Sequence, residues 1–152
     1  MKLDETDIAL LNLLQHDAKM KHKELAIALG LTITPVYERV KRLERAGVIK
    51  QYVTLLDPNK IGKELVGFAM VTLEKHSMTY LQAFEKAVQE IHDVLECYHL
   101  AGEYDYLIKV AVKDMNAYHQ FVVNRLSAIK NVGQVHSSFA LSTLKSTTAF
   151  AL

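Results

Sequence analysis

The 152-residue sequence predicts an α+β protein, and three observations carry that prediction. Apolar residues recur at helical spacing through three short segments of the first fifty residues. From Val66 onward, strand and helix patterns follow one another in the order βαββαβ. Between these regions stands Asp57-Pro58-Asn59, a turn signal, with Gly62 close behind. The expected organisation is an N-terminal winged helix-turn-helix with a connecting strand over 1–57, a linker over 58–65, and a C-terminal ferredoxin-like domain over 66–152.

The first helix should begin at Asp4, whose carboxylate can cap it. Glu5 and Asp7 fall in the first turn, where acids suit the helix dipole, and Leu3 with Ile8 forms a hydrophobic staple. Ile8, Leu11, Leu14 and Ala18 make its apolar stripe. The second helix, roughly Lys21 to Leu29, carries Leu25, Ala26 and Leu29 and stops at Gly30. In the third, Thr32 or Thr34 can cap, and Pro35 falls in the first turn, where its missing N–H costs nothing. Val36, Val40 and Leu43 form its buried stripe, and Gly47 ends it. Small Ala26 lets two helices cross closely and Gly30 permits a tight turn, the spacing of a helix-turn-helix. Val48 to Leu56 then reads as β-structure, a wing or connecting strand.

Arg39 to Lys50 holds five basic residues against one acid, Glu44. A short basic helix of this kind fits a DNA major groove. Thr34, Tyr37, Glu38 and Arg42 are the expected base-edge or groove contacts, with Thr32 and Pro35 at the leading end of the same helix. Arg39, Lys41, Arg45 and Lys50 are the expected phosphate partners, Arg39 having a second role open to it as an internal brace. Charge alone would favour a solvated helix face; the helix-turn-helix spacing reverses that preference.

In the last ninety residues, Val66–Leu73 reads as a strand, followed by a helix capped by Ser77 with Leu81, Phe84, Val88 and Ile91 inward. Val94–Ala101 and Asp105–Val112 are the next strands. Asp114 caps a helix with Tyr118, Phe121, Val122, Leu126 and Ile129 inward, and Val132–Leu144 is the last strand. Right-handed crossovers place both helices on one face of the sheet. Yet Val66, Phe68 and Met70 oppose Ala69, Val71 and Leu73, and Leu107 and Ala111 oppose Tyr106, Ile108, Val110 and Val112. A sheet apolar on both sides needs a second cover. A second copy, sheet against sheet, is the economical one and gives an isologous dimer. Such a dimer presents two recognition helices to the half-sites of a palindromic operator in double-stranded DNA.

Net charge is only +1, divided as +2 over residues 1–60 and −1 over 61–152, so the local basic cluster must carry any claim of DNA binding. The single Cys97 excludes an internal disulfide and fits a reducing cytoplasm. Neither a signal-peptide pattern nor a long apolar run points to export or a membrane. Seven histidines show no i,i+4 pair and no Cys at ligand spacing, so no metal is expected. No nucleophile motif, phosphate-binding glycine loop or catalytic carboxylate pair emerges, and no cofactor is expected. The turn Gly102-Glu103-Tyr104-Asp105 sets two carboxylates beside an aromatic. By itself it reads as a hairpin turn with solvated acids.

Taken together, Leu3-Asp4 with Asp7, Glu24-Leu25-Ala26 with Gly30-Leu31, Thr34-Pro35-Val36, Arg39-Val40, Arg42-Leu43-Glu44, Gly47-Val48-Ile49, Leu56-Asp57-Pro58 with Gly62, and Gly102-Glu103-Tyr104-Asp105-Tyr106 resemble the Lrp/AsnC (feast/famine) family of transcription regulators over nearly the whole chain. The resemblance implies dimers that assemble further, often four in a ring, DNA wrapped or bent around them, and a small metabolite, usually an amino acid, bound between dimers. It also moves the preference at the 102–105 turn to an effector pocket of Gly102, Glu103, Tyr104 and Asp105, facing His136 and Ser138 of a neighbouring subunit. One departure stands out: the residue three before Glu24, ordinarily Ser or Thr in this family, is Lys21. Lysine has no acceptor, so half a capping box should be missing, and Lys21 is free to contact a phosphate instead.

Two rivals remain. Haem-precursor decarboxylases resemble this architecture, but they would call for a basic pocket that residues 61–152 lack. A DNA-architectural protein without effector control has overlapping sequence requirements.

Overall fold

The computed structural model describes residues 2–152, which form two compact units, 2–55 with 144–152 and 56–143. In the first, α1 (Glu5–His16), α2 (His22–Leu29) and α3 (Ile33–Arg45) enclose a core of Leu10, Leu11, Leu25, Ala26, Val36, Val40 and Leu43. The stripe of α1 is Leu10, Leu11 and Leu14, not the expected Ile8 and Ala18. Ile8 is absent from this core and Ala18 lies beyond the helix end. A buried Asp7 occupies the remaining inner position.

Both turns after α2 and α3 use left-handed glycines. Gly30 (φ 66) and Gly47 (φ 71) let the next residue fold back, Leu31 N–H onto Ala26 O and Val48 N–H onto Leu43 O. Three residues, Gly30 to Thr32, therefore suffice to turn the chain from α2 into α3. At the head of α2, Lys21 N–H donates to Glu24 Oε2 at 2.6 Å, whereas the Lys21 ammonium has no lone pair to return. Lys21→Ser is expected to supply the missing acceptor and raise stability by about 0.5–2 kcal/mol. A thermal melt with no gain would refute it.

The expected strand over Val48–Leu56 does not form. Gln51 to Asp57 has no regular hydrogen bonding and is exposed throughout. A strand needs a neighbouring ladder for its N–H and C=O groups, and this segment meets none among the described residues. The chain then makes a 3₁₀ turn at Pro58–Ile61, initiated by the Asp57 side chain.

The second unit is a four-stranded antiparallel sheet of order β2-β3-β1-β4, from β1 (Leu65–Leu73), β2 (Val94–His99), β3 (Tyr106–Val112) and β4 (Val132–Phe139). Two strands end sooner than expected, β2 at His99 and β4 at Phe139. α4 (Met78–Gln89) and α5 (Met115–Phe121) pack Phe84, Val88, Tyr118 and Phe121 against Ala69, Val71, Leu73, Ile108 and Val110. α5 continues into a π turn, Val122–Leu126, whose wider winding brings Phe121 and Leu126, five residues apart, onto the same buried side. The other sheet face carries Val66, Phe68, Met70 and Leu107, all half-buried and uncovered within this unit. In the middle of this face, directly across from Phe68, Lys109 of the inner strand β3 pairs with Glu96 of the edge strand β2 at 2.8 Å.

Residues 144–152 group with the first unit, where the Gln15 amide both accepts from Phe150 N–H (2.6 Å) and donates to Phe150 O (3.1 Å). Among the described residues no helix is long and apolar enough to cross a membrane.

Candidate functional site

The face of α3 is organised by one carboxylate. Asp7 is completely buried, yet its Oδ1 accepts from Arg39 Nη1 (2.7 Å) and Arg42 Nη2 (2.6 Å), and its Oδ2 from Arg42 Nη2 (2.7 Å) and Asp4 N–H (3.2 Å). Asp4 completes a reciprocal capping box by accepting from Asp7 N–H at 2.7 Å, and takes a second bond from Arg39 at 2.6 Å. Burial pushes the Asp7 carboxyl pKa upward. The Asp4 N–H and the two guanidinium groups outweigh that and hold it below the ordinary value. For Asp4 the Arg39 hydrogen bond leads in lowering the pKa.

Arg42, expected at a base edge, therefore has a guanidinium nitrogen committed to both oxygens of Asp7. Arg39 has the internal role that stood as its alternative. Lys41 is bonded to Glu44 at 2.9 Å. Among the described residues the side-chain cations of Arg45, Lys50 and Lys21 have no acidic partner, and each residue is exposed; Arg45 Nε donates to Lys41 O at 3.2 Å. Thr34, Pro35, Tyr37 and Glu38 lie on the exposed side of α3, and Thr32 is its N-cap without a side-chain bond. The five cations counted along this stretch thus present less free charge than the sequence suggests.

Asp7 as anchor was not among the expected site residues. The Asp-x-x-Asp spacing of a capping box was its only local signal; its two arginines lie 32 and 35 positions away.

In the second unit the 102–105 turn ends on a carboxylate that already has partners within the chain. Asp105 Oδ2 accepts from Leu73 N–H at 2.6 Å, and His76 Nε2 lies 3.0 Å from both carboxylate oxygens. Its own backbone ties to Val71 O and Leu100 N. Burial raises the Asp105 pKa, but the Leu73 N–H and His76 more than offset this and hold it low. Through these bonds the Asp105 carboxylate fastens the end of β1 to the start of β3. Glu103 and Gly102 are exposed. Tyr104 meets His136 of the same chain edge-on, ring centroids 5.3 Å apart, so this His lies beside the turn without a neighbouring subunit. Ser138 pairs with Phe68 across the β1–β4 ladder and is exposed beside it. His76 carries no local signal as the partner of Asp105, since 29 residues separate them.

Residues 3–50 match the family model for a winged helix-turn-helix DNA-binding domain, and residues 66–150 match that of the Lrp/AsnC ligand binding domain. The chain belongs to the Lrp/AsnC family. It is a DNA-binding transcription regulator, not an enzyme, and the decarboxylase alternative falls away. Among Lrp/AsnC proteins it is 40% identical to the DNA-binding transcriptional activator DecR of Escherichia coli K12 over 150 residues, 99% of each chain. It is 35% identical to the leucine-responsive regulatory protein of Klebsiella pneumoniae over 94% of this chain and 87% of that one. The solved structure of a transcriptional regulator from Neisseria meningitidis in complex with L-Met superposes with a TM-score of 0.94 at 35% identity, covering 99% of this chain and 97% of that one.

Proposed function

We propose that this regulator is a cytoplasmic homodimer, paired sheet to sheet and assembling further to an octamer, which reads a palindromic operator with two α3 helices and adjusts its DNA affinity or assembly to an amino acid. The observation that carries this reading is the open sheet face, where Val66, Phe68, Met70 and Leu107 lack a cover within their own unit. Burying such a surface against its own copy is favourable at roughly 25 cal/mol per Å² of apolar area. Thr34, Tyr37 and Glu38 are the groove contacts of this reading, and Arg45, Lys50 and Lys21 its phosphate contacts. Arg42 contributes to the groove only with the part of its guanidinium that Asp7 leaves open. The effector is an amino acid because relatives are named as leucine-responsive or solved with L-Met. Gly102, Glu103, Tyr104, His136 and Ser138 surround its site, with Glu103 the acid available for an ammonium and Asp105 shaping the turn.

Phe68→Asp tests the dimer. Sedimentation should return a 17.2 kDa species, and operator affinity should fall by about 10²–10⁴-fold as the two half-sites lose their linkage. An unchanged dimer overturns the sheet-to-sheet pairing. A thermal-shift panel of the twenty amino acids tests the effector. A ligand at about a hundred times its Kd should raise the melting temperature by roughly 5–10 °C, and no shift with any of them favours an architectural protein without effector control.

A further inference from the structure

His22 is the first residue of α2, and its imidazole stands nearly perpendicular to the phenol ring of Tyr37 in α3, with centroids 5.4 Å apart and planes at 72°. The Lys41 ammonium lies 6.0 Å from the same ring and is itself held by Glu44 at 2.9 Å. The Tyr52 hydroxyl donates to the other Glu44 oxygen at 3.1 Å. Tyr37 is 43% exposed, so without neighbours its χ1 and χ2 would be free to exchange among rotamers. Edge-to-face contact with His22 limits that freedom. Should Lys41 turn toward a DNA phosphate, its contact with the ring would weaken and His22 would remain as the support.

We propose that His22 is a positioning residue for DNA reading: it sets the direction of the Tyr37 phenol, and through it the base preference at the operator position that Tyr37 reaches. The inference rests on the proposed seating of α3 in the major groove. A side chain already in its binding rotamer loses less freedom on docking. Removing the His22 ring should therefore weaken discrimination at one position and leave the phosphate contacts as they were.

The test is selection from a randomised operator library by the full chain, comparing wild type with Tyr37→Ala, His22→Ala and His22→Phe, each checked for an unaltered circular dichroism spectrum. Tyr37→Ala should relax one position of the selected motif. His22→Ala should relax the same position by about 3–10-fold with an unchanged salt slope, because the loss is a few rotamers' worth of ordering and not a cation. His22→Phe, which keeps a ring against Tyr37, should restore the preference. The inference is overturned if His22→Ala leaves that position intact. It is equally overturned if the salt slope drops by about one unit with no change in preference, marking His22 as a phosphate contact, or if the Phe variant behaves as Ala. If Tyr37→Ala alters no position at all, the seating of α3 fails as well, which separates the two failures.

Discussion

Asp7→Asn is expected to destabilise the helix-turn-helix unit by about 2–4 kcal/mol. Breaking a buried ion pair by removing one partner costs about 3–5 kcal/mol. The figure is reduced here because the Arg39 and Arg42 side chains are 27% and 44% exposed and partly screened by water. The amide keeps an oxygen for one guanidinium but turns an N–H donor toward the other. Hydrogen exchange should locate the effect, with faster exchange through α1, α2 and α3 and little change in the sheet. Uniform protection like that of wild type would dismiss the anchor. The same carboxylates set a pH dependence. The pKa values of Asp4 and Asp7 are lowered in the fold, so the unfolded chain binds more protons at acidic pH. Their stabilisation is complete above the ordinary carboxylate range and is lost as pH falls through it toward the lower folded values. Asp7→Asn should flatten that acid limb, a comparison made by melts from neutral pH to pH 3.

Gly67→Val is the second large effect. Even Gly67→Ala should cost about 1–3 kcal/mol by overpacking, and the branched side chain more. A Cβ at position 67 would meet Tyr118 Cε2 at 2.6 Å and Cδ2 at 2.9 Å. That ring cannot easily withdraw. Its hydroxyl donates to Ser137 Oγ at 2.8 Å, and Phe139 packs edge-on against it with centroids 4.7 Å apart. Tyr118→Leu in the Gly67→Ala background should recover part of the loss, because the two changes share one space and are not additive. Chemical denaturation of the four chains measures this coupling. A Gly67→Ala variant as stable as wild type would mean that the sheet and α5 part readily.

Much of this architecture was legible along the chain because it is written in local periodicity. Val36, Val40 and Leu43 recur at helical spacing and are buried together; Leu81, Phe84, Val88 and Ile91 likewise pack into the core of their unit. Gly30 and Gly47 mark helix ends because a left-handed residue there carries no Cβ penalty. The two-sided apolar character of β1 and β3 was equally readable, since alternate residues of a strand must face opposite ways.

Long-range partnership was not readable in this way. Arg39 and Arg42 count as DNA-facing cations in any tally of sequence charge, until α1 crosses α3 and sets Asp7 between them. Asp105 reads as a solvated acid of a hairpin turn, until the end of β1 brings the Leu73 N–H and His76 to its carboxylate. Val48–Leu56 has a strand's composition, yet a strand exists only where another backbone completes its hydrogen bonds. Amino-acid order governs spacing and side-chain type through the repeat of helix and strand. Only the folded chain settles which charge meets which, because those energies depend on distance and burial between residues that sequence keeps far apart.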